Sequence, residues 1–92
     1  MNLLPDYSPG HYFNSTGFGD LLPVAVKIAR ELKYSELEMI EAICRVGDKA
    51  RRYPPTRNRT AWFARVFKEK LQEARADILA LKNRLSAITD GF

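Results

Sequence analysis

An all-α fold, a three-helix domain with a long C-terminal helix and an irregular N-terminal arm, is predicted by three observations. No proline or glycine occurs between Thr56 and Asp90, where Ala, Leu, Glu, Lys, Gln and Arg dominate; these are the strong helix formers. Within that stretch Ala64, Phe67, Leu71, Ala74, Ile78, Leu81, Leu85 and Ile88 recur at alternating three- and four-residue steps, which is an a/d heptad seam. Upstream, Ser35 stands three residues before Glu38 at the head of an apolar run. That spacing lets the serine oxygen accept an orphan backbone N–H while the glutamate reaches back to the serine's own N–H.

The elements follow in order. Residues 1–19 carry Pro5, Pro9, Gly10, Gly17 and Gly19, which interrupt regular structure, so this stretch reads as an arm preceding a single helical domain over 20–92. Tyr7, Tyr12, Phe13 and Phe18 are many aromatics for a solvated tail. Two uses are open: docking on the helical body, or binding a partner. Asp20 is a candidate N-cap for a helix over 21–33, with Pro23 in the first turn, where its missing N–H does no harm. Leu22, Val24, Ala25, Ile28, Ala29 and Leu32 give that helix an apolar face. In the second helix Leu37, Ile40, Cys44 and Gly47 share a stripe, which predicts a buried thiol at Cys44. Its acids cluster near the start and Lys49, Arg51 and Arg52 near the end, as the helix dipole favours. Tyr53-Pro54-Pro55 stops it, because a residue before proline avoids the helical region. Thr56 or Asn58 can cap the third helix. Trp62, Phe63 and Val66 widen its stripe at one end only, so the first half is expected in the core. The narrow second half suits one neighbour, either the first helix or a second copy of the third. Leu71, Ala74, Ile78, Leu81, Leu85 and Ile88 form this candidate seam.

Composition bounds the function. The chain has 92 residues, 46% of them hydrophobic and 28% charged, the profile of one ordinary globular domain. No run approaches the length of a membrane span, the N-terminus lacks the pattern of a secretory signal, and Cys44 is the sole cysteine. Together these suggest a cytoplasmic, reducing setting. Catalysis is not expected. His11 is the one histidine and has no partner at metal-ligand spacing. Gly17-Phe18-Gly19 is too short for a phosphate loop. The pairs Glu38/Glu41 and Glu73/Asp77 are explained by solvated helix faces. No cofactor or metal is implied.

Charge is the feature with chemical character. From Arg45 to Lys70 nine cations stand against two acids, Asp48 and Glu69, an excess of seven in a chain whose net charge is only +4. Such polarity points to an anionic partner, a nucleic acid or an acidic protein surface. Lys49, Arg51, Arg52, Arg57, Arg59, Arg65 and Lys68 are the candidate phosphate contacts, with Asn58 and Thr60 as hydrogen-bonding groups at the start of the third helix. Arginine there runs against the helix dipole, which suggests an external anion. Contacts of this kind position a nucleic acid without reading its sequence.

Residues 37–71 resemble the C-terminal helical domain of DnaD-type primosome and replisome-organiser proteins. The resemblance rests on LEMIEAICRVGDKARRY followed by the ladder Phe63-x3-Phe67-x3-Leu71. The family's ladder ends in tryptophan, whereas this one ends in Leu71 and places Trp62 at the helix start. The resemblance implies binding of single- or double-stranded DNA and self-association during replication initiation. The expected function is therefore a small nucleic-acid-binding accessory protein, DNA before RNA, possible as a homodimer. The rival is a non-enzymatic adaptor that uses the heptad seam and the aromatic arm.

Overall fold

The computed structural model describes residues 8–90, with side chains through residue 84. Among them the chain forms helices α1 (Pro9–Ser15), α2 (Leu22–Leu32), α3 (Glu36–Arg52) and α4 (Arg59–Asp90), with a 3-10 turn at Gly19–Leu21 before α2. The all-α class and the long terminal helix are as predicted. The differences are local. Residues 9–15 form a helix inside the segment expected to be irregular. Seven residues cannot hold a helix alone in water, so α1 owes its existence to packing, and its Phe13 is fully buried. That is tertiary burial overriding Gly10 and weak propensity. Of the two uses open to the arm's aromatics, docking applies to Phe13 and Phe18, both in the core.

The core gathers Phe13, Phe18, Leu21, Ala25, Ile28, Met39, Ile43, Val46, Phe63, Val66, Phe67 and Leu71. Phe63 stacks on Phe67 with centroids 5.2 Å apart, and Phe13 meets both rings edge-on. α3 and α4 lie antiparallel, tied by Arg45–Asp77 at 2.8 Å and Lys49–Glu69 at 3.4 Å. α3 is therefore the main intrachain neighbour of α4, and the first predicted helix, α2, makes a smaller contact with it. Leu71 and Ala74 are fully buried in this core, so they are not available to a second copy. Beyond them the seam emerges: Ile78 is half-buried and Leu81 exposed. Leu85 and Ile88 lie outside the residues whose side chains are described.

Two helix starts differ in how well the sequence announces them. The box at Ser35 forms as predicted, with the Glu38 N–H donating to Ser35 Oγ at 3.2 Å and the Ser35 N–H to Glu38 Oε1 at 2.8 Å. Asp20, by contrast, does not cap α2; the cap position is Leu21 and no side chain serves it. Asp20 sits in the 3-10 turn and pairs with Arg59. The face of α3 is also rotated from the predicted stripe. Met39, Ala42, Ile43 and Val46 are buried, while Leu37 and Cys44 are exposed. Two apolar stripes compete on this helix, and the one carrying Met39, Ala42, Ile43 and Val46 is the one packed into the core. Gly47 stays buried because α1 crosses closely: a Cβ there would meet Thr16 Cγ2 at 3.0 Å.

Candidate nucleic-acid interface

The connection 53–58 and the first turns of α4 set the geometry of the basic segment. Asn58 caps α4, its Oδ1 accepting the Ala61 N–H at 3.0 Å. This confirms one of the two predicted caps. The capped start holds Arg57 and Asn58 in front of the helix, and α4 presents Ala61, Trp62 and Arg65 on its adjoining turns. Pro55, Thr56, Arg57, Asn58, Ala61, Trp62 and Arg65 line one concavity of about 350 Å³. No acid is among them. Trp62, expected in the core, is half-buried. The indole stacks on Phe18, with planes 15° apart and centroids 6.3 Å apart, and Trp62 also lines the concavity.

The structure sorts the nine basic residues of the segment by what they already hold. Arg45 meets Asp77 and Glu41, Lys49 meets Glu69, Arg51 meets Asp48, and Lys70 meets Glu69 and Glu73. Arg59 donates to Asp20 Oδ2 and to the Gly17 carbonyl, both at 2.8 Å, and lies 4.7 Å over the Phe18 ring. The anion expected at Arg59 is thus Asp20 of the same chain, and the guanidinium holds the Asp20 carboxyl below its ordinary range. Among the described residues, Arg52, Arg57, Arg65 and Lys68 have no carboxylate oxygen within 4.0 Å. Arg65 and Lys68 lie on the outer face of α4 and are exposed, as are Arg57, Asn58 and Thr60.

A second groove, about 370 Å³, runs between the end of α3 and the middle of α4, lined by Arg45, Asp48, Lys49, Arg52, Tyr53, Lys70 and Glu73. Its charge is largely satisfied internally. Lys49 and Lys70 hold the Glu69 carboxyl below its ordinary value, Lys70 first, and Glu73 raises Lys70 above its own. An anion entering here would have to displace those bonds, which makes this groove the poorer receptor of the two.

Other chemistry is sparse. Cys44 is exposed, and partial burial, then Glu41 and Asp48, push its thiol up, the opposite of what a reactive thiolate needs. Among the described residues no group of three His, Cys, Asp or Glu is placed to hold a metal, and no helix is long and apolar enough to cross a membrane. Sequence reasoning singled out every basic residue at the concavity but placed Trp62, which also lines it, in the core. The signal for Trp62 was its place at the edge of the apolar stripe, toward Asn58 and Arg65. No family model, curated protein or solved structure matches the chain.

Proposed function

We propose that this protein is a small nucleic-acid-binding accessory protein that grips phosphates through the start of α4. The observation that carries the reading is the acid-free concavity lined by Arg57 and Arg65, two guanidinium groups with no carboxylate oxygen within 4.0 Å among the described residues. Folding has not consumed their charge, so it is available to an external anion. Lys68 extends the same outer face of α4 one turn on from Arg65, and Arg52 adds a further unpaired cation at the end of α3. Asn58, whose oxygen is used by the cap, keeps its amide N–H groups for a backbone oxygen. Arg59 serves the fold instead, and Lys49 and Arg51 contribute only to the general potential. The resemblance to DnaD-type proteins favours DNA and a role in replication.

The test is a titration with labelled DNA across salt concentrations. Arg57→Ala and Arg65→Ala should each weaken binding and flatten the log–log salt dependence by about 0.7 to 0.9 per lost phosphate contact. Sequence preference should hardly change. Native affinity in the double variant at low and high salt refutes the assignment.

A second reading, self-association or an adaptor role, is favoured by the emerging seam. Leu37, Leu79 and Leu81 are each more than half exposed, and the antiparallel pairing puts the first and last of them at the same end of the α3–α4 pair. Sedimentation at high micromolar concentration decides it: a dimer lost on Leu81→Asp supports this reading, and a native monomer removes it.

A further inference from the structure

We infer that the concavity at the start of α4 receives an unpaired nucleobase, so that the ligand is single-stranded rather than duplex nucleic acid. The inference rests on the nucleic-acid reading above and deepens it. A site that only grips duplex phosphates needs cations on an open surface. This one combines two unpaired arginines with an apolar wall made by Pro55, Ala61 and the Trp62 indole. Its volume, about 350 Å³, lies in the range of small-molecule pockets. Trp62 is the sole tryptophan, and its stacking on Phe18 restrains the ring, so it costs little entropy to use as a platform. Fixed aromatic faces beside a cationic path are what single strands require, because their bases are free to stack on protein. In a duplex the bases are already stacked on one another, and the wall would face only sugar and phosphate. Arg57 and Arg65 stand where they can take the phosphates on either side of an inserted base.

The sole tryptophan gives a direct readout on the unaltered chain. Three probes of equal length are titrated at one salt concentration: oligothymidylate, an abasic single strand, and a mixed-sequence duplex. Indole emission and probe anisotropy are followed together. Oligothymidylate should quench Trp62 and bind at least about tenfold more tightly than the duplex or the abasic strand, since one stacked base contributes on that scale. Trp62→Ala should lose that tenfold while duplex affinity stays the same, and Trp62→Phe should restore most of it. Because Trp62 also touches the core, the unaltered chain decides if the alanine variant fails to fold. Equal affinity for duplex and oligothymidylate, or for abasic and oligothymidylate, overturns the single-strand inference and leaves phosphate binding standing. Absence of binding to all three overturns both.

Discussion

Arg59 and Arg75 stand sixteen residues apart on α4 and perform the same task at two places, with different support. Each closes the end of an earlier helix. The chain leaves α1 through Gly17, φ +86°, and α2 through Lys33, φ +62°, both in the left-handed region. After each comes an aromatic residue whose N–H returns to a carbonyl five residues back: Phe18 to Phe13 and Tyr34 to Ala29, both at 2.8 Å. These are Schellman caps. In each, an α4 guanidinium donates to the carbonyl of the left-handed residue and covers the aromatic ring that follows. Arg75 donates to the Lys33 carbonyl at 2.7 Å and to Glu38 Oε2 at 2.6 Å, 4.0 Å above the Tyr34 ring. Arg59 repeats this with Gly17, Asp20 and Phe18. The difference lies in the carboxylate. The Glu38 side chain is 11% exposed and already committed to the Ser35 box, whereas that of Asp20 is 64% exposed. A charge pair gains strength as water is excluded from it, so the same constellation locks one junction and only steadies the other.

The largest effect should come from Glu38. Glu38→Ala removes the box and leaves Arg75 without its carboxylate; it should cost about 2 kcal/mol by thermal or urea unfolding. Arg75, first, and the Ser35 backbone and hydroxyl hold the Glu38 carboxyl at about 2, against an ordinary 4.5. Because the folded value is the lower one, this stability is fully present above about pH 4.5 and is lost as pH falls through about 2. Glu38→Gln should therefore flatten the acid limb of the stability profile, and an unchanged limb would show that the carboxylate is not linked to folding. Next in size is Gly17→Ala, which forces a Cβ into the left-handed region and should lower stability by about 1 kcal/mol. Arg59→Ala should lower the melting temperature by less than Glu38→Ala does. It should also speed amide exchange in α1 while leaving α3 protected; equal losses at the two arginines would erase the distinction drawn above. The smallest change has the opposite sign. Lys33→Gly relieves the left-handed strain at some cost in chain entropy, and should stabilise by about 0.5 kcal/mol.

The same comparison explains what was legible in the sequence. The Ser35 box, the stop at Tyr53-Pro54, the Asn58 cap and the core half of α4 all depend on neighbours within a few positions, and each can be read locally. Asp20 carries the composition of an N-cap, yet its partner is Arg59, thirty-nine residues away. Arg59 in turn resembles a free phosphate ligand until that partner is in place. α1 was hidden for a related reason, since its helix exists only because Phe13 is buried by residues far along the chain. Cys44 sits on one of two comparable stripes of α3, and only the tertiary packing of Met39, Ala42, Ile43 and Val46 chooses between them. Basic residues at the concavity were visible as a run of charge. Their division into satisfied and unsatisfied cations was not, because beside Asp48 and Glu69 it depends on acids outside the run, Asp20, Asp77 and Glu73.

The connection between α3 and α4, residues 53–58, has a kinetic consequence. Its six residues close the antiparallel pair at small entropic cost, whereas joining α4 to the segment around Gly17 and Asp20 closes a loop of about forty. Closure entropy grows with loop length, if slowly, and structure built from near neighbours in sequence forms fastest. On these grounds the α3–α4 hairpin is expected to form first and the segment around Gly17 and Asp20 to dock after it. Until it docks, Trp62 lacks its stacking partner Phe18 and Arg59 lacks Asp20. Docking of that segment is thereby coupled to the candidate receptor surface.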